Sequence, residues 1–234
     1  MAVNLPDSSR DILRRVGIAL IAVGLIDIGY MLYCIANHIN DLSILGIILL
    51  IFGIFLIRGN LRLAGVVTFI SAVSATSMVG LLLIFVPFLE PLDLFITQFR
   101  LAPWETIGGL AIFLAKSFFL IWIYRQLRSP AVVDARIAAG RSGWPPIVAF
   151  IVGAIGVAVL GIAMQSMLHG EHASKAIEIV KSQVGPGYKF HVSSLTIQRS
   201  GQTGTTGKST QLVWANVVAY KPDEILSVPV EFSQ

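Results

Sequence analysis

Residues 107–124 read IGGLAIFLAKSFFLIWIY, an apolar run interrupted by one charge, Lys116. As a helix the run is about 27 Å long, close to the roughly 30 Å hydrocarbon thickness of a bilayer. A charge at its centre costs about 2.5–3.5 kcal/mol on insertion scales, so a lysine there calls for a partner or a purpose. Four further runs share this character: 16–36, 42–57, 63–89 and 147–168. The chain is 55% hydrophobic and only 13% charged. A soluble domain carries about 25% charged residues, so the apolar excess is expected to face lipid.

The runs stop near residue 168, and residues 169–234 have ordinary soluble composition. The expected fold is a polytopic α-helical membrane protein with five transmembrane helices over 1–168. A small C-terminal α+β domain follows over 169–234.

The first run, with Asp27 inside it, follows Arg10, Arg14 and Arg15. It is longer than the apolar core of a signal peptide, and no A-x-A-like site follows, so it reads as a retained helix. Cys34 is the single cysteine, which excludes an intrachain disulfide. The second run is short and needs flanking residues or a thinned bilayer. Its Gly46 and Gly53, seven apart, lie on one face where another helix can approach closely. The third run ends at Pro87 and carries Thr68, Ser71, Ser74, Thr76 and Ser77, read as packing and hydrogen-bond contacts. The fifth follows Trp144-Pro145-Pro146, and Gly153, Gly156 and Gly161 thin it.

Topology follows from the connections. Arginines number three before the first run, two at Arg58 and Arg62, and four at Arg125, Arg128, Arg136 and Arg141. The alternate connections, 37–41 and 90–106, hold only Arg100. Nine against one predicts a cytoplasmic N-terminus and an extracytoplasmic C-terminal domain in a cell membrane of bacterial inner-membrane type. The formal charge of +4 is accounted for by these flanks. No basic cluster with interleaved aromatics lies elsewhere, so nucleic acid is not an expected partner.

In the C-terminal domain, Ala173, Ala176, Ile177, Val180 and Val184 mark one face of a helix over 171–184, stopped by Gly185-Pro186-Gly187. Tyr188, Phe190 and Val192 alternate as a strand whose phase shifts at Ser193-Ser194, predicting a bulge. A second strand runs from Leu212 to Tyr220, with Leu212, Trp214, Val218 and Tyr220 on one side. Leu226, Val228, Val230 and Phe232 form a third, which Pro229 restricts to an edge. The expected arrangement is one helix on an antiparallel three-stranded meander.

Candidate sites are few. On the arginine-derived topology Asp27 and Lys116 both lie roughly 13–14 Å below the outer surface, nine residues from the outer ends of their runs. Equal depth and opposite sign predict a buried ion pair between the first and fourth spans. His169, His172 and His191, with Met164, Met167 and His38 on the same side, form a candidate zinc or copper set, set against exposed linker histidines and packing methionines. Residues 201–209, GQTGTTGKS, imitate a phosphate loop. Gly201 and Gly207 enclose five residues where the motif needs four, and a strand follows instead of a helix. It reads as a hairpin loop.

No Ser-His-Asp or G-x-S-x-G pattern occurs, and carboxylates such as Glu90 and Asp93 read as solvated loop charges. No catalytic residue and no cofactor is therefore expected. The expected function is non-enzymatic: a multi-pass protein whose outer domain binds another membrane or extracytoplasmic protein in an accessory, assembly or sensing role. The third strand, through Leu226, Val228 and Val230, is the candidate docking edge. The alternative is a small transporter or channel using Asp27 and Lys116. The sequence leaves oligomeric state open.

Overall fold

A computed structural model describes residues 7–37, 44–84, 91–141, 145–185, 187–200 and 210–233. The elements are α1 (Asp7–Ala36), α2 (Leu45–Ile57), α3 (Leu61–Ile84), α4 (Leu92–Leu101), α5 (Pro103–Leu127), α6 (Pro130–Ala138), α7 (Pro146–Leu168), α8 (Glu171–Val184), β1 (Lys189–Ser200), β2 (Thr210–Lys221) and β3 (Glu224–Ser233). Among the described residues four helices, α1, α3, α5 and α7, are long and apolar enough to cross a membrane. The thirteen residues of α2 span only about 20 Å. The expected Pro87, Glu90, Trp144, Pro186, His38 and the 201–209 loop lie outside the described residues.

The chain divides into two compact units, residues 1–77 with 115–154, and residues 78–114 with 155–234. The second thus takes in more than the 169–234 domain expected from composition.

In the first unit α1 and α2 form an antiparallel pair joined through glycine. A Cβ on Gly53 would stand 2.6 Å from the Gly17 carbonyl oxygen, and one on Gly46 would stand 2.9 Å from that of Gly24. The backbones touch because no side chains separate them, as the spacing of Gly46 and Gly53 predicts. The helix α1 begins nine residues before its apolar run. Leu13, Val16 and Leu20 on that early face are buried against Leu56 of α2 and Ile123 and Leu127 of α5. The connection 125–145, expected as loop, contains α6. Pro130 opens it, where a missing N–H costs nothing, and Val132 and Ala135 bury into the same core.

In the second unit the sheet order is β1-β2-β3, antiparallel throughout. The register slips between Val192 and Ser194, the expected bulge position. Gly185 takes φ +89° and donates its N–H to the Lys181 carbonyl, ending α8 as expected. The face of β2 against α8 is the one with Val213, Ala215, Val217 and Ala219, not the side bearing Trp214 and Tyr220. Small residues there let Ala173, Ala176 and Val180 of α8 settle onto the strands. The connection 90–106, also expected as loop, contains α4, which packs on β3 and β2. Asp93 in its first turn and Arg100 in its last complement the helix dipole. Leu94 and Thr97 are its buried residues, while Leu92, Ile96 and Phe99 remain exposed.

Candidate binding site between α4 and the sheet

The backbone brings one end of the sheet against α4 and leaves a cavity of about 330 Å³ between them. Its described lining is Asp93, Ile96, Thr97 and Arg100 from α4, with Gly187, Lys189, Tyr220, Lys221 and Pro222. Gly187 adopts φ +116°, a conformation that only glycine takes readily, and turns the chain into β1. Thr97 is held by donating its hydroxyl to the Asp93 carbonyl at 2.8 Å.

Two of the cations are anchored. Lys189 pairs with Asp93 and ties β1 to α4. That hydrogen bond holds the lysine pKa above its ordinary value, reinforced by the Asp93 charge. Lys221 lies 2.5 Å from Glu224 and 3.0 Å from the Tyr188 hydroxyl, which itself donates to Glu224 at 2.7 Å. Its ammonium also sits 4.8 Å from the Tyr188 ring centroid, a cation–π distance. The bond to Glu224 raises the Lys221 pKa and lowers that of Glu224. Tyr220, 4% exposed, has its phenol pushed up by burial, against the charge of Lys189. Arg100 has no ion-pair partner among the described residues. Asp93 and Glu224 each engage one lysine, which leaves Arg100 as the cation of the lining without an ion pair among the described residues, and a net positive charge at the cavity.

A nucleophilic or basic lysine needs a depressed pKa, whereas Lys189 and Lys221 are shifted upward and stay protonated.

The other candidates fall elsewhere. The Asp27 carboxylate lies 2.9 Å from the position of a Cβ on Gly46, beside the first turn of α2. The positive end of the helix dipole favours a negative charge there. Lys116 is exposed on α5, and no Asp27–Lys116 pair is found among the salt bridges of the described residues. His191 has its pKa lowered by burial and by the nearby His169. His169 Nδ1 lies 3.1 Å from the Gln165 carbonyl, and His172 Nδ1 is buried without a partner among the described residues. No group of three or more His, Cys, Asp or Glu placed to hold a metal occurs among the described residues. Leu226, Val228 and Val230 point into the core beneath α8, so a partner on β3 meets backbone and the opposite side chains.

Sequence reasoning passed over this cavity because its residues come from segments as far apart along the chain as Asp93 and Pro222. The available signal was Asp93 and Arg100, seven apart, bracketing apolar residues in a short connection. No family model, curated protein or solved structure matches the chain.

Proposed function

We propose that this is a five-span, non-enzymatic protein of a cell membrane, of bacterial inner-membrane type. In this reading the N-terminus is cytoplasmic, and the domain over 169–234 is extracytoplasmic and binds another protein in an accessory, assembly or sensing role. The arginine asymmetry supports the orientation. The contact of α4 with β2 and β3 supports the span assignments that follow it. Two segments that touch lie on one side of the membrane, which requires an even number of crossings between them, and α5 and α7 supply two. Counting α2 as a fifth span rests on its antiparallel run along α1 and on Arg58 and Arg62 beyond its end.

The observation that carries the partner reading is the cationic cavity between α4 and the ends of β1 and β2, at the turn that leads into β3, an outer strand of the sheet. An acidic segment fits it: carboxylates facing Arg100 and the Lys189 and Lys221 ammonium groups, main chain along β3. Pro229, opposite Asn216, removes one donor from that strand and limits the added pairing to a short stretch. A photocrosslinking residue at Arg100 or Ser227, in native membranes, should give a discrete adduct. A reversal, Arg100→Glu, should abolish the Ser227 adduct. Absence of any adduct from either position would remove the reading.

A second reading draws on Asp27. A carboxylate at depth in a spanning helix is a feature of ion paths and proton relays. A pH-dependent flux in liposomes that is lost in Asp27→Asn would favour a small transporter or channel over the binding module.

A further inference from the structure

A second, smaller cavity lies in the first unit, bounded by α3, α5, α6 and the start of α7. Its described lining has two charges, Arg128 and Arg136, and no carboxylate. Arg136 is partly buried and pressed against α3: a Cβ on Gly65 would come 2.7 Å from its Nη2. Only a glycine leaves room for the guanidinium there. The Arg136 Nε is buried with no hydrogen-bond partner among the described residues. Buried polar atoms are satisfied in the great majority of cases, and those of a cation more stringently still.

The electrostatics point the same way. Burial first, and then the charge of Arg128, lower the Arg136 pKa. Asp134, the acid nearest in sequence, is exposed, does not line the cavity and forms no salt bridge with either arginine among the described residues. Pro145 and Pro146 place the first turn of α7 at the same cavity, adding the positive end of a helix dipole. Three sources of positive potential converge, with no carboxylate among the described lining residues. The enclosed volume is about 20 Å³, enough for a water on Nε but not for an anion, which therefore sits at the mouth. Arg128, exposed and just beyond the end of α5, is the second cation of that lining.

We propose that Arg128 and Arg136 clamp a phosphate-bearing anion at this mouth. Membrane phospholipid is the abundant source, and inorganic phosphate is the soluble one. Guanidinium forks match phosphate oxygens in pairs, and basic pockets between helix ends at the cytoplasmic face suit acidic headgroups. The ligand completes a site that the protein leaves short of negative charge.

The test uses the full chain in neutral detergent, with thermal unfolding followed during titration with phosphatidylglycerol, phosphatidylcholine or inorganic phosphate. The expected result is a saturable rise in Tm with phosphatidylglycerol and none with phosphatidylcholine. Replacement of the exposed arginine, Arg128→Gln, should weaken the apparent affinity by about tenfold or more, in line with loss of a charge-assisted bond. Gly65→Ala keeps both charges but displaces the Arg136 guanidinium, and should weaken it as well. A rise with inorganic phosphate alone, lost in Arg128→Gln, assigns the same clamp to soluble phosphate. Arg62→Gln, removing an exposed arginine outside the cavity, should leave the response intact. An equal loss in Arg62→Gln, an unchanged response in Arg128→Gln and Gly65→Ala, or no response of the unmodified protein to any probe would overturn the proposal.

Discussion

Replacing Gly53 by alanine puts a methyl group where the Gly17 carbonyl oxygen stands 2.6 Å away, with the Ile21 side chain at the same distance. Backbone cannot yield as a flexible side-chain tip does, so the two helices must separate or slide. Overpacking of this kind costs about 1–3 kcal/mol. Alanine also recovers helix propensity relative to glycine, about 0.8–1.0 kcal/mol, which would mask part of the loss. Gly29→Ala in α1 supplies the correction, because nothing lies within 4 Å of a Cβ there. The difference between the two substitutions isolates the packing term. It should be about 1–3 kcal/mol, or roughly 5- to 150-fold in the unfolding equilibrium. Reversible unfolding of the full chain in mixed micelles, followed by circular dichroism, measures it. Adding Gly17→Ala to Gly53→Ala should cost less than the sum of the two, since both methyl groups relieve themselves by the same separation. If Gly53→Ala and Gly29→Ala shift stability alike, the close contact of α1 and α2 is refuted.

Two further outcomes are expected. Because burial and His169 depress the His191 pKa below 6.5, the unfolded chain takes up a proton there more readily than the folded one. Stability therefore falls as pH drops from about 6.5 toward the folded pKa, and His191→Gln should flatten that part of a Tm-against-pH curve. Charge reversal of the pair that joins α4 to β1, Asp93→Lys or Lys189→Asp alone, should raise hydrogen exchange in α4, and the double reversal should restore protection; exchange unaffected by either single change would show that the pair does not hold α4.

The apolar runs were legible because lipid imposes them: every backbone group must bond within the helix and every side chain must tolerate hydrocarbon. The same demand does not govern α4 and α6. Helices of ten and nine residues draw their stability from packing rather than from their own propensity, and LDLFITQFRL is helical where it packs on β2 and β3 with Leu94 and Thr97 buried. The side of β2 facing α8 was ambiguous for another reason. Both faces of 212–220 are apolar, and the larger residues, Trp214 and Tyr220, are not the ones under the helix. Small side chains at Ala215, Val217 and Ala219 admit it instead. For Asp27 and Lys116 the sequence supplies depth and sign but not the helix face each side chain occupies, and Lys116 is exposed on α5. The cationic cavity needed both the α4 helix and the end of the meander before its residues could meet.

The central claim is an odd number of crossings, which puts the two ends of the chain on opposite sides of the membrane. With Cys34→Ala as background, single cysteines at two exposed positions report it: Ser8→Cys near the start of α1 and Ser182→Cys on α8. In sealed right-side-out vesicles a membrane-impermeant maleimide should label the cysteine introduced at position 182 and reach the one at position 8 only after permeabilisation. Labelling of both before permeabilisation, or of neither, would mean an even number of spans and would contradict the five-span account.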